Sequence, residues 1–277
     1  MKDLTIVILT LNEEADLPRC LLSLKGFGKL VVVDSGSTDK TRQIALAHGA
    51  LLLEHPFEAF GVQRNWALDQ LPPKSTQAWI LFLDADEVAT PNFRSAVEKA
   101  LDAASNDVAG FFCCCKMLLN GVWLKNSDNF PKWQVRLIRN QRVRFIDVGH
   151  GQKEGTVKGV LDFIREPYLH YAFSKGWTSW IDRHNRYATL EAAERNFHKA
   201  KCADFFASSP TKRNKFLKLL LGQLPGWPLG RFLFTFILRG GFLEGQAGLS
   251  YCLMLAYYEL IIQLKMKELR LSSFRTN

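Results

Sequence analysis

Asp84-Ala85-Asp86 closes the apolar run Ala78-Trp79-Ile80-Leu81-Phe82-Leu83. Side chains alternate along a strand, so an extended chain would point Asp84 and Asp86 to one side and Ala85 to the other. In an open α/β sheet, ligands bind in the crevice beyond the carboxyl ends of the strands. Paired oxygen donors there suit a hard divalent cation, Mg²⁺ or Mn²⁺, which would in turn hold a nucleotide diphosphate. The same residues also read as a solvated loop in which one Asp caps the next helix. Two other apolar runs end in polar groups, Thr10-Leu11-Asn12-Glu13 and Asp34-Ser35-Gly36-Ser37-Thr38-Asp39. Asp34 suits hydrogen bonds from a base or a ribose. Gly36 allows a turn with positive φ. Ser37 and Asp39 read as helix caps.

The elements that must position these groups alternate strand and helix. Strands are predicted at Leu4–Thr10, Lys29–Asp34, Ala50–Leu53 and Ala78–Leu83, with helices at Glu13–Lys25, Asp39–Ala47, Ala59–Leu71 and Asn92–Asp102. Gly26 and Gly49 follow two of the helices, Pro72-Pro73 stops the third, and Pro91 opens the fourth. This spacing argues for a doubly wound, mostly parallel sheet with helices on both faces. After about residue 110 the pattern changes. Val108–Leu118 and Gly121–Leu124 read as strands turned at Asn120-Gly121. Val135–Asn140 and Val143–Val148 read as a second hairpin. From Lys175 the chain is predicted helical to about Phe206, with Pro210, Pro225 and Pro228 cutting the remainder. The division is residues 1–110 and 111–172 as two halves of one domain, then a helical region over 173–277.

Charge follows the same division. Residues 1–110 hold 10 Lys/Arg against 15 Asp/Glu, and residues 111–277 hold 26 against 12. The basic half suits an anionic lipid, glycan or nucleic acid. The six cysteines (20, 113, 114, 115, 202 and 252) form neither a C-x-x-C pair nor a Cys/His cluster, and read as reduced, mostly buried thiols of a cytosolic protein. The run Leu4–Leu11 reads as a first strand and not as a signal peptide. No stretch reaches the roughly 18 uninterrupted apolar residues of a membrane span. Residues 211–277 nevertheless combine 10 Lys/Arg and 3 Asp/Glu with apolar runs at Leu229–Leu238 and Leu249–Leu264. Two readings stand for them: helices at the interface of an anionic leaflet, or helices packed on the preceding domain.

The blocks I-V-I-L-T-L-N-E-E, V-V-V-D-S-G-S-T-D-K-T and F-L-D-A-D-E, in this order, resemble the family 2 inverting glycosyltransferases with a GT-A fold. The resemblance covers about residues 3–150 by motif. It implies a sugar donor bound as a nucleotide diphosphate, with a UDP-sugar favoured and Mg²⁺ or Mn²⁺ as cofactor. In that frame Thr10, Asn12, Glu13 and Asp34 lie around the base, Asp84 lies near the ribose or sugar, and Asp86 is the metal ligand. Many members carry a second Asp where Ser35 stands. Gly61-Val62-Gln63-Arg64-Asn65-Trp66 also fits, with Arg64 offering a guanidinium fork to the diphosphate or a carboxylate and Asn65 a neutral hydrogen-bonding group.

Inverting transfer is one in-line displacement, so a general base must take the acceptor proton. The segments 131–137 and 147–154 look like the acceptor side of a subgroup resembling lipopolysaccharide-core glucosyltransferases. Members commonly show Val-His-Glu where this chain has Gly149-His150-Gly151, so Glu154, Asp147 and His150 are all candidates for the base. Trp133, Gln134 and Arg136 are expected to shape the acceptor and leaving-group pocket. The implied partners are a nucleotide-sugar donor, a glycan or glycolipid acceptor and an anionic membrane surface, with no nucleic acid. The implied place is cytoplasmic, peripheral on the inner face of the cell membrane. Two competing classes are a nucleotidyltransferase and a non-enzymatic basic nucleic-acid binder. The first lacks a Gly-rich basic phosphate loop after strand one, and the second lacks a recognised motif and leaves the carboxylates idle.

Overall fold

The computed structural model describes residues 3–71, 78–148, 151–197, 216–217 and 219–275. Two compact units divide the chain: residues 1–123 with 129–174, and residues 124–128 with 175–277.

The first unit is built on a seven-stranded sheet of β1 (Leu4–Thr10), β2 (Lys29–Asp34), β3 (Leu51–Glu54), β4 (Trp79–Asp84), β6 (Val108–Cys113), β9 (Gln134–Arg139) and β12 (Val160–Phe163). Their order is β12-β6-β9-β4-β1-β2-β3. β4, β1, β2 and β3 run parallel, β6 and β12 pair in parallel, and β9 runs antiparallel to both its neighbours. Period-2 patterning supplies two cores. Ile6, Ile8, Trp79, Leu81 and Leu83 face α1 (Leu17–Ser23) and α4 (Pro91–Ala103). Val7, Val31, Val33, Ile80 and Phe82 lie on the other face with Ala67 and Leu68 of α3 (Phe60–Gln70). A continuous apolar strand is what burial on both faces requires. α2 (Thr41–Ala47) completes the helical layers.

A smaller sheet orders β5 (Glu87–Val88), β13 (Tyr168–His170), β7 (Cys115–Leu119) and β8 (Val122–Trp123), and a separate ribbon pairs β10 (Val143–Val148) with β11 (Gly151–Val157). The turn at Asn120-Gly121 is where the sequence puts it, with both residues at positive φ. The second expected hairpin does not form. β9 leaves its sequence neighbour and enters the centre of the main sheet, and β10 pairs instead with β11. The reason is burial. Val135 to Arg139 are all buried, whereas Asp147 and Val148 are exposed, so the two runs belong to different environments.

In the second unit α5 (Gly176–Phe197) packs on α7 (Gly245–Arg275) through Ala188, Ala192, Ile262 and Met266. α6 (Trp227–Leu233) starts with Pro228 in its first turn, continues as a π-helical stretch to Leu238, and is followed by a short 3₁₀ turn at Gly241–Glu244. Residues 124–128 join this unit: Glu244 accepts bonds from the Ser127 backbone and hydroxyl, and the Tyr251 hydroxyl reaches Asp128 at 2.7 Å. Among the described residues one helix, Gly241–Leu271, is long and apolar enough to cross a membrane by length and composition. No uninterrupted apolar run announces it, because Gly, Ser, Gln and Glu interrupt a stretch whose Leu, Ile, Phe and Met residues keep the average hydropathy high. Cys20, Cys113, Cys114 and Cys252 are buried free thiols and Cys115 is half-buried; Cys202 lies outside the described residues.

Candidate active site

The chain turns after Asp84, and the two carboxylates meet different partners. Asp84 faces arginines: Arg136 Nη2 lies 3.1 Å from Oδ2 and Arg64 Nη2 lies 3.6 Å from Oδ1. Asp86 faces His170, whose Nε2 is 3.3 Å from Oδ2. Ala85 is buried in the core as expected. Glu87 follows on β5, accepts from Arg136 at 2.8 Å, and takes the Asp84 backbone N–H at 2.8 Å.

Charge is balanced unevenly in this buried cluster. Burial alone would raise Asp84, but Arg136 and Arg64 outweigh it and hold the carboxyl well below the usual range. Burial pushes Glu87 up to about 7, only partly countered by Arg136. Burial works against charge on His170, yet Asp86 outweighs it and raises the imidazole well above its ordinary value. Arg64 is brought down to about 10 by burial and the nearby Arg136. Its guanidinium lies over Phe82 and Phe145. With the Gln152 amide oriented so that its oxygen faces Arg64, that oxygen accepts at 2.6 and 3.1 Å.

The neighbouring strand ends are zipped together. Asp34 is fully buried and accepts from Ser37 N (2.8 Å), Gly36 N (3.1 Å), Arg42 Nε (2.9 Å) and Thr10 Oγ1 (3.1 Å). Burial would raise its pKa, but these bonds win and lower it. Asn12, at φ 55°, accepts from Thr38 N at 2.9 Å and donates its own N–H to Ser37 Oγ at 2.8 Å. The Glu13 N–H donates to Thr41 Oγ1 at 2.7 Å. Ser37 therefore links two loops and caps no helix; Asp39, one residue before the Lys40 N-cap, accepts from Thr41 N at 2.9 Å at the first residue of α2. Ser35, where the resembling family often has an Asp, accepts from Gln63 Nε2 at 3.1 Å, and Gln63 Oε1 meets His55 Nδ1 at 2.7 Å.

The β10–β11 ribbon lies along α3. Asn65 clips it by exchanging side-chain bonds with the Phe145 backbone at 2.8 and 3.0 Å. Asp147 accepts from Gly61 N at 2.7 Å, at the first turn of α3. Glu154 is half-buried and pairs in register with Phe145, while Asp147 pairs with Gln152. Alternation puts Gln152 and Glu154 on one face, the face that meets Arg64. His150 lies outside the described residues. Trp133 packs edge-on against Phe163 at 5.0 Å, and Gln134 is exposed at the start of β9. A cavity of about 880 Å³ opens at the amino ends of the strands among Asp3, Lys29 and Leu51, away from these groups.

His170, Glu87 and Gln152 escaped the sequence reading. Glu87 stands next to Asp86 and carried a visible signal. His170 is joined to Asp86 only by the pairing of β13 with β5. Among the described residues no group of three or more His, Cys, Asp or Glu side chains forms a closed metal cage. Asp86 and His170 fit an open site. Mg²⁺ takes one or two protein carboxylates, keeps several waters and completes its shell with phosphate oxygens, and Mn²⁺ accepts imidazole alongside carboxylate.

A mostly parallel sheet with acidic and basic groups gathered at its carboxyl edge defines a glycosyl-transferring enzyme of GT-A fold once the family match is added. The chain belongs to Glycosyl transferase family 2, whose model matches residues 5–155. It is 27% identical to the lipopolysaccharide core biosynthesis glycosyltransferase LpsC of Rhizobium meliloti, over 91% of this chain and 90% of that protein. It is 25% identical to an uncharacterized glycosyltransferase, RT0209, of Rickettsia typhi, over 99% and 89%. The crystal structure of S. aureus TarS residues 1–349 aligns with 100% of this chain and 92% of that one, at 16% identity and a TM-score of 0.46.

Proposed function

We propose that the enzyme moves a sugar from a nucleotide-diphosphate donor, a UDP-sugar in first place, to a lipopolysaccharide-core or lipid-linked glycan acceptor. The observation that carries this reading is the meeting of Asp86 with His170 beside the Asp84–Arg136–Glu87 cluster, at the carboxyl edge of a parallel sheet. Similarity to LpsC supports the acceptor class.

Asp86 and His170 would hold Mg²⁺ or Mn²⁺. Bound there, the ion supplies positive charge to the departing diphosphate. The chain's own residues do the rest. Asp84 stays ionised between Arg136 and Arg64, so it serves as a fixed acceptor for ribose or sugar hydroxyls. Thr10, Asn12, Glu13 and Asp34 form the rigid floor of the base pocket, because their mutual bonds fix the two loops. Arg64, Trp133, Gln134 and Arg136 border the donor and acceptor pockets. Glu154 takes the acceptor proton. It shares a face with Gln152, which turns toward Arg64, whereas the Asp147 carboxylate is engaged in holding Gly61 N–H. The enzyme works on the cytoplasmic side, peripheral to the inner face of the membrane.

A thermal-shift panel of UDP-, GDP-, dTDP- and ADP-sugars, with and without Mn²⁺, tests this. Ligand that binds only the folded state raises Tm by mass action. The reading requires a shift with one nucleotide sugar that depends on Mn²⁺. Equal melting across the whole panel would refute it.

A further inference from the structure

Residues 224–264 expose thirteen large apolar side chains, with Leu238 at 77%, Leu243 at 70% and Leu229 at 64% exposure. The same stretch contains only four charged residues, Arg231, Arg239, Glu244 and Glu259. Both carboxylates are buried and engaged: Glu244 with Ser127, and Glu259 with Arg195 at 2.8 Å. The outward surface is therefore apolar, bordered by half-buried arginines, and free of exposed carboxylates. Lys267 and Arg270 add exposed positive charge further along α7, against Glu268 alone. Single exposed leucines are ordinary on soluble proteins, but a contiguous apolar stretch of this kind marks an interaction surface.

Charge identifies the occupant. An apolar surface edged with arginine and lysine complements anionic headgroups over acyl chains. A two-fold contact between copies would set this net positive surface against itself. Spanning by α7 alone fails on its partners. Arg195 of α5 is bonded to Glu259, and Lys265 Nζ donates to the Asn185 carbonyl at 2.7 Å. Immersing α7 would carry the charged helix α5 into hydrocarbon.

We propose that residues 229–243, with the outward face of α7, dock on an anionic lipid leaflet. Exposed Leu and Phe side chains enter the acyl boundary while the arginines reach headgroup level. The proposal names the surface behind the peripheral placement given above, and rests on that reading only for the choice of leaflet.

The test floats the full-length protein with vesicles of phosphatidylcholine alone or mixed with phosphatidylglycerol, with no sugar donor present. Wild type should float with the anionic vesicles and detach as salt rises. Leu238→Asp with Leu243→Asp should weaken retention by at least about tenfold with an unchanged circular-dichroism melt. Leu229→Ser with Leu238→Ser gives the same readout if the aspartates disturb the helix. A wild type that stays unbound, variants that float like wild type, or a buffer dimer that the substitutions split, would each overturn the proposal. Because flotation needs no donor, a chain that floats yet shows no nucleotide-sugar shift keeps the docking surface and loses the donor reading.

Discussion

Arg136 Nη2 lies 3.1 Å from Asp84 Oδ2 and 2.8 Å from Glu87 Oε1, so one guanidinium nitrogen holds carboxylates from the end of β4 and from β5. Arg136 and Glu87 are withdrawn from water, whereas Asp84 is a third exposed and keeps Arg64 at 3.6 Å, so removing the cation leaves Glu87 as the uncompensated buried carboxyl. Arg136→Ala should cost about 3–5 kcal/mol of unfolding free energy, the usual penalty for breaking a buried pair. Urea unfolding measures this, and a loss under about 1 kcal/mol would show that the cluster relaxes into solvent. Transfer should fall with it, because Asp84 loses the partner that aims it.

The Asp86–His170 pair makes a different kind of contact, half-open and meeting only through β5 and β13. Asp86→Asn and His170→Ala should each cost less stability than Arg136→Ala, since the lost pair is partly open to solvent, and reduce Mn²⁺ affinity in the presence of UDP by at least about tenfold. Calorimetric titration of Mn²⁺ into the UDP-bound protein reads this directly. Chelation should abolish transfer by the wild type. Full activity in excess chelator would remove the metal from the proposal.

Glu154 and Asp147 share a ribbon but are assigned separable tasks. Glu154→Gln should reduce kcat by about 10²- to 10⁴-fold, the range for loss of a general base, with little change in Tm. Asp147→Ala should instead destabilise by about 1 kcal/mol, the value of a helix-terminal cap. Gly61→Ala should mimic that loss, because a Cβ there would lie 3.0 Å from the Asp147 carboxylate. If Asp147→Ala kills transfer at unchanged Tm while Glu154→Gln is active, the two roles exchange.

The parallel half was legible because its signals are local. The runs at Leu4–Thr10 and Lys29–Asp34 match strands to the residue, and Pro91 opens a helix where it stands. What stayed hidden depends on pairing between distant segments. β9 looked like half of a hairpin, since nothing in Val135–Asn140 says that β4 and β6 will flank it. His170 has no spacing relation to Asp86, so its place at the site emerges only from strand register. Ser37 departs from expectation for a related reason: hydroxyls at a loop–helix junction usually cap, and only the folded position of Asn12 shows that this one joins two loops.

Asp34 supplies the pH dependence. Its carboxylate is fully buried and accepts bonds from Ser37, Gly36, Arg42 and Thr10. These overcome burial and lower its pKa in the folded state. The unfolded chain, with an ordinary Asp value of about 3.9, therefore takes up the proton first as pH falls. The stabilisation is complete above that value and is lost as pH descends through the folded pKa. Asp34→Asn removes the charge but keeps the shape, so it should cost about 1.5–3 kcal/mol at neutral pH, the worth of bonds to a charged acceptor. The gap between wild type and variant should narrow as the solution is acidified below the ordinary Asp range. Urea unfolding of both proteins across an acid series measures that gap, and a gap that widens toward acid would mean Asp34 is protonated in the folded enzyme.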